Sequence, residues 1–555
     1  MGMPEPNPNA KFPTLQLPFT VPSYYPIPSR MRIDSIADLP MRFRTAFLLT
    51  ITGLVIIWPA NIVHSQTEWG PVAEGIDFQQ FVLPGPNRAF VARMDRSVPN
   101  VIVDSTVAQG KLYEGTETVS GMAERYDQAI VGWGSRWDAT GKVAVAINGI
   151  FYDPSTGVPQ SGQIQGGWYI KRFEDYSGGI EFAFNRNREA FIGGCVMHPD
   201  DEQWLYFLDR GRKMVLGGIN VPQNSDNIVI YTPQYDYNTR TGNGGVEVLV
   251  EMLQPAGIGS RAKGYIRSIR DAGSTRIPFD HLVISARGAA GARLAARARI
   301  GERIGILSSI DSTSRDCRDR FPEKWDSAFA SIGGSFNFLN ANEIVNYDSN
   351  AGATTRHPRT AVCLNDEYVY FVVVDGRQPG YSIGMTSDEL ARFCRDRLGA
   401  EWGINQDGGG SSAMWLDGEI VNRPSDGRER LVANGLIMVV LEHVRKSTEF
   451  EVGLTVRTVR SADIRVGPGD NYAAFTTIPK GTPGIVLPHI NNLNGVNARG
   501  TNWWRVAFEG KWGWMAEGDL DAEVTWIGVW KGVRDKVLRS SDNSSSEDPV
   551  ENTAP

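Results

Sequence analysis

Between residues 355 and 434 the chain gathers side chains that could handle an anion. Ile404-Asn405-Gln406-Asp407-Gly408-Gly409-Gly410-Ser411-Ser412 puts a carboxylate before three glycines and two hydroxyls. Upstream stand Arg356-His357-Pro358-Arg359-Thr360 and Val372-Val373-Val374-Asp375-Gly376-Arg377, and downstream Pro424-Ser425-Asp426-Gly427-Arg428-Glu429-Arg430. Successive glycines let a ligand approach the backbone and leave amides to face negative charge. Arginine forks match phosphate oxygens. A glycine run alone is more often a plain loop. Its place between Asp407 and two hydroxyls, with four arginines close by, favours a site.

Local signals say what must hold these residues. Tyr368–Val374 is β-branched and aromatic and closes on Asp375-Gly376, which predicts a buried strand. Thr386 and Glu389 have capping-box spacing ahead of Leu390, Phe393, Cys394 and Leu398, with Gly399 at the end, which predicts a three-turn helix. Trp402–Asn405 is the next predicted strand, and Asp417-Gly418 fits a tight hairpin turn. Asp375, Arg377 and Asp407 therefore fall where strands run out into loops, a common address for chemistry on a rigid scaffold.

The ordered set R-H-P-R-T, V-V-D-G-R, Y-S-x-G-M-T, N-x-D-G-G-G-S-S-x-M and P-S-D-G-x-E-R resembles the phosphodiester glycosidase family. Asn148-Gly149-Ile150-Phe151-Tyr152-Asp153, after the predicted strand Val143–Ile147, is similar to that family's N-G-G-F-F-D element, with Ile150 and Tyr152 departing from it. The resemblance implies cleavage of a sugar-1-phosphodiester at the anomeric carbon. A phosphomonoester leaves as a stable anion, so such a site needs positive charge on phosphate, a carboxylate at the oxocarbenium-like centre and a water. Asp375 and Asp407 are the expected nucleophile, base or cation stabiliser, with Arg377 as the catalytic cation. Arg359, Arg428, Arg430, Glu429, the Gly408, Gly409, Gly410, Ser411 and Ser412 loop, Asn148 and Asp153 are expected to bind substrate. His357, alone beside a proline, reads as structural.

Composition narrows the rest. The 555 residues carry a net charge of -7, which disfavours a broad nucleic-acid face. Sixty glycines and 15 tryptophans suit a turn-rich β protein. The expected class is α+β: a β-rich catalytic domain over 101–443 with a few helices, then a small all-β barrel at 454–523. That second region, with Ile464-Arg465-Val466-Gly467-Pro468-Gly469 and Gly510-Lys511-Trp512-Gly513-Trp514, resembles a bacterial SH3 domain, which implies a cell-wall peptide or glycan ligand. Residues 1–40 are proline-rich and read as disordered, 66–100 as an irregular lead-in with some strand pattern near Phe78–Val91, and 539–555 as a disordered acidic tail. The apolar run Thr45–Val63 behind Arg42 and Arg44 predicts export, either as a cleaved signal peptide within 41–65 or as a single membrane anchor. Cys195, Cys317, Cys363 and Cys394 fit no zinc or redox spacing, and three disulfide connectivities stay open.

Two other function classes compete. Asp153, Asp375 and Asp407 could ligate Ca²⁺ or Mg²⁺ in a phosphoesterase, whereas the favoured chemistry requires no cofactor. Alternatively, both folded regions only bind envelope glycan.

Overall fold

The computed structural model describes residues 68–523, apart from 114, 135, 172–179, 195, 198–202, 224–225, 256, 260, 313–321 and 348–349. The proline-rich extension, the apolar run 45–63, the acidic tail, Cys195 and Cys317 lie outside the described residues. No helix among the described residues is long and apolar enough to cross a membrane.

The architecture is mostly β, which corrects the α+β expectation. Among the described residues, thirty-seven strands stand against four α-helices, Val119–Tyr126, Gly288–Arg297, Ala351–Thr354 and Ser387–Leu398. Val119–Tyr126, Gly288–Arg297 and Ser387–Leu398 pack against strands, and Ala351–Thr354 packs against Ser387–Leu398. Val119–Tyr126 is N-capped by Thr118, whose Oγ1 accepts from Gly121 N at 3.0 Å.

The sheet that carries the motifs has eight antiparallel strands. Their order is Gly70–Ala73, Ile76–Leu83, Asn87–Asp95, Tyr368–Val374, Arg359–Leu364, Trp402–Asn405, Phe336–Asn340 and Glu343–Ile344. The expected irregular lead-in is therefore three of this sheet's strands, with Val91 opposite Val372. The uninterrupted apolar run 369–374 follows from burial on both faces. Phe371 and Val373 pack toward a second sheet, while Val372 and Val374 pack under Leu390, Ala391 and Cys394 of the helix Ser387–Leu398. That helix carries the predicted capping box and ends on Gly399 in the left-handed region.

The second sheet orders Glu419–Ile420, Met414–Leu416, Arg136–Asn148, Asn434–His443 and Val101–Val107, with Ala129–Trp133 also paired to Arg136–Asn148. Trp415 pairs with Ile420 and Leu416 with Glu419, so Asp417-Gly418 is the two-residue turn expected, both at positive φ. The apolar layer between these two sheets is the main core, from Phe90 and Ile404 on one side to Val145 and Met438 on the other.

A third sheet of eight strands lies between residues 204 and 307 and has its own core, covered by Gly288–Arg297. Eight short strands between Thr455 and Ala522 form a further antiparallel sheet around Val456, Ile464, Trp504, Val506 and Met515. Cys363 and Cys394 are buried free thiols facing each other, with sulfurs 2.7 Å apart.

Candidate active site

Strand register brings the motifs to one end of the first sheet. Arg359 pairs with Val374 and Ala361 with Asn405, so Asp375 and Asp407 leave, in the same direction, the two strands that flank Arg359–Leu364. The second sheet adds Asn148, which ends its strand opposite Gly435.

Asn148 joins the pieces. Its Nδ2 donates to Asp407 O at 2.7 Å, and its Oδ1 accepts from Thr360 Oγ1 at 2.8 Å and Ala413 N at 3.2 Å. It is buried, so it positions the glycine loop from beneath.

Asp407 is half-buried. Its Oδ2 accepts from Ser411 Oγ at 2.6 Å. Burial pushes its carboxyl above the ordinary range, while the Ser411 hydroxyl, Arg430, the Gly408 amide and Arg377 pull the other way. This is a carboxylate held near the surface, with cations around it.

Asp375 is more enclosed. Oδ1 accepts from Asn422 Nδ2 at 2.9 Å, Oδ2 from Tyr381 OH at 3.2 Å, and both oxygens from Arg423 N at 3.1 and 2.9 Å. Burial raises its pKa against those donors. The arrangement anchors the 420s loop to the sheet. Sequence reasoning missed Asn422 and Arg423 as partners; a buried acid ending a strand needs donors, but nothing in the sequence says which.

The arginines divide. Arg377 has φ 58° and an exposed guanidinium lying over Gly409, where an added Cβ would stand 3.0 Å from Nη1 and 3.1 Å from Nη2. Its Nη2 lies 3.3 Å from His357 Nδ1. Arginine only donates, so that imidazole nitrogen accepts. Burial, then Arg359 and Arg377, lowers the His357 pKa. Arg377 makes no ion pair among the described residues. Arg428 is exposed and likewise makes no ion pair there. Arg430 donates to Asp426 Oδ2 at 2.7 and 3.0 Å and reaches Ser411 Oγ at 3.4 Å.

Several expected substrate contacts have other partners. Arg359 is 4% exposed and donates to the carbonyls of Met385, Gly352, Thr355 and Ala353, so its guanidinium faces backbone instead of a ligand. Burial, with Arg377 near, lowers its pKa to about 10. Glu429 accepts from Ser120 N at 3.0 Å and Ser120 Oγ at 2.6 Å, which caps the helix Val119–Tyr126. Asp153 is exposed and accepts from Ser155 N and Oγ at 2.8 and 2.7 Å, an Asx turn. Within the loop, Gly409 N donates to Pro358 O at 3.0 Å, and Ser411 N and Ser412 N turn back to Gly408 and Gly409 carbonyls at 3.4 and 3.3 Å. The short 3₁₀ turn Gly409–Ser411 thus uses amides expected to face an anion.

The metal alternative also meets this geometry. Asp153, Asp375 and Asp407 do not gather within ligand reach of one another among the described residues. The grouping of such residues that the structure does bring together is Glu251, Asp280 and His489. Its atoms are engaged with cations and with each other: Glu251 Oε1 with Arg505 Nη1 at 2.6 Å, and Asp280 with His281 Nδ1 and His489 Nε2 at 2.7 Å each.

Comparison with known proteins bears on this sheet end. Residues 282–439 match the family model for phosphodiester glycosidase. That span includes Asp375, Arg377, Asp407 and the glycine loop, and leaves out Asn148 and Asp153. Among solved structures the chain is similar to a hypothetical protein from Synechocystis (18% identity, TM-score 0.43), covering 66% of this chain and 62% of that one. It is also similar to the catalytic domain of zebrafish N-acetylglucosamine-1-phosphodiester alpha-N-acetylglucosaminidase auto-inhibited by its pro-peptide (14% identity, TM-score 0.34), covering 67% and 85%. No curated protein matches the sequence.

Proposed function

We propose that the chain is a hydrolase that cleaves a sugar-1-phosphodiester, of the N-acetylglucosamine-1-phosphodiester type, at the anomeric carbon. One observation carries the reading: the exposed Arg377 guanidinium lies over Gly409 beside the half-buried Asp407 carboxylate, inside the phosphodiester glycosidase match. A free cation next to an acid suits an anionic leaving group departing from a centre that gains positive charge. Arg377 and Arg428 hold the phosphate, and Asp407 serves the anomeric carbon. Asn148 and Asp375 fix the loops that carry them. No metal is required in this scheme.

The substrate belongs to envelope or extracellular glycan, reached by export through the apolar run Thr45–Val63. The region 454–523, read as SH3-like, adds wall retention. Hydrolysis in ¹⁸O-labelled water tests the chemistry. Label on the sugar C1 oxygen is expected. Label on phosphate would overturn the glycosidase reading in favour of a phosphoesterase, as would loss of turnover on chelation.

A further inference from the structure

A cavity of about 400 Å³ lies where the sheet Thr455–Ala522 meets the rest of the molecule. It shares no lining residue with the sheet end around Asp375 and Asp407. Its size falls in the range of small-molecule sites, about 300–1,000 Å³.

One wall is aromatic. Trp137 meets Phe279 edge-on at 6.3 Å, and Phe279 packs on Tyr472 at 5.7 Å, so the rings run from the large body into the small sheet region. The polar wall is incompletely satisfied. Trp168 and His281 are 4% and 2% exposed, yet Trp168 Nε1 and His281 Nε2 have no partner among the described residues. Gln234 Oε1 and Asn471 Oδ1, on lining residues from opposite sides of the junction, are also buried without partners. Native proteins rarely leave buried donors and acceptors unpaired, and each such group calls for an explanation.

The charged lining residues are already engaged. Arg125 donates to Val107 O at 2.6 Å and pairs with Glu117 at 3.1 Å. Asp236 is paired with Arg240, and Asp280 with its two imidazoles. Asp104 accepts from Tyr126 OH at 2.8 Å and from the Ser105 and Gly166 amides at 2.8 and 3.0 Å. Only Lys111 stands part-exposed with no ion pair among the described residues. A wall of aromatic faces, unpaired polar donors and acceptors and spent charges matches a ligand with apolar C–H faces and hydroxyls that both donate and accept.

We infer that this junction cavity binds a short neutral saccharide, at a site separate from the proposed catalytic centre. The site needs both regions, since Asn471 and Tyr472 come from one and Trp137, Trp168, Gln234 and His281 from the other.

The test uses the full chain with cellobiose and N,N′-diacetylchitobiose as probes, which carry no phosphate. Binding is read by saturation-transfer NMR and tryptophan fluorescence. At least one disaccharide should bind, and Asp407→Asn should leave that binding unchanged. Gln234→Ala, which removes an unpartnered acceptor, should weaken it at least tenfold. Ala473→Trp, which fills the rim from an exposed position, should abolish it. Failure of both sugars to bind overturns the inference. So does binding that survives both cavity variants, or binding that disappears with Asp407→Asn. If Ala473→Trp does not fold, Gln234→Ala decides, because no side-chain contact of that oxygen is broken.

Discussion

Arg359 donates to four backbone carbonyls, whereas Arg377 is exposed over the glycine loop and Arg428 has no ion pair among the described residues. Their substitutions should separate accordingly. Arg377→Ala or Arg428→Ala should lower kcat/KM for a sugar-1-phosphodiester about ten- to hundredfold, because charge-assisted contacts contribute roughly 1.5–3 kcal/mol each. Turnover of a neutral aryl glycoside should hardly change. Arg359→Ala should lower the melting temperature and impair both substrates alike. Equal losses on both substrates for Arg377→Ala would show that it positions the loop and does not meet phosphate. Asp407 supplies a pH test. Burial raises its pKa, so the carboxylate form, and activity with it, should fail on acidification at a pH above the usual 3.8. The Ser411 hydroxyl stabilises the charged form. Ser411→Ala should therefore move the acid limb of the kcat/KM profile to still higher pH, and a limb that moves down or stays would remove Asp407 from that role.

Glycines at the sheet end differ in what they permit. Gly384 has φ 92°, and an added Cβ would meet the His357 backbone carbonyl at 2.4 Å. A Cβ on Gly410 would meet Arg430 Nη2 and Asp426 carboxylate oxygens, which are ends of exposed, movable side chains. Gly384→Ala should cost at least about 1–2 kcal/mol from backbone strain alone, seen in thermal unfolding. Gly410→Ala should leave the melting temperature nearly unchanged but displace the Asp426–Arg430 pair and lower turnover. Equal destabilisation by the two would mean that the pair also holds the loop. Elements with local signals were legible from sequence: the Thr386–Glu389 capping box, the Asp417-Gly418 turn and the strand Tyr368–Val374. The mostly-β class was misjudged because amphipathic helices announce themselves in sequence, whereas many short strands do so weakly. In 66–100 only the strand pattern near Phe78–Val91 shows in the sequence; the local hairpins of residues 70–95 are joined to the sheet by one remote pairing, Asn87–Asp95 with Tyr368–Val374, which leaves little local trace. Side-chain destinations were hidden for the same reason. An arginine in a motif looks the same whether it faces phosphate or a helix-end carbonyl.

At the scale of the molecule, the Thr455–Ala522 sheet is tied to the body through buried pairs whose members are remote in sequence. Arg505 pairs with Glu251 across 254 positions, and His489 with Asp280 across 209, both in buried surroundings. Burial by itself would raise the Asp280 pKa, but His281 and His489 hold it well below the carboxylate range. Around these pairs Phe279 N donates to Val466 O at 3.0 Å, Asn491 Nδ2 to Met252 O at 2.9 Å, and Arg499 Nη1 to Asp127 O at 2.7 Å. Ending the chain near His443 would leave Glu251 and Asp280 without their cross-junction partners and uncover Ile130, Trp137 and Phe279, which pack against Trp503 and Trp514. Removing one partner of a buried pair costs about 3–5 kcal/mol. The truncated chain should therefore unfold at clearly lower denaturant concentration than the full chain. The sheet end with Asp375 and Asp407 has its own core, so any truncated protein that stays folded should keep its turnover of a soluble phosphodiester. Arg505→Met in the full chain isolates the ionic part: it leaves Glu251 buried with only His281 and Arg267 to oppose its charge and should reproduce much of the stability loss without touching turnover. A truncated chain as stable as the intact one would mean that the buried pairs contribute nothing to holding the body together. A stable but inactive one would place part of the catalytic site in the small sheet.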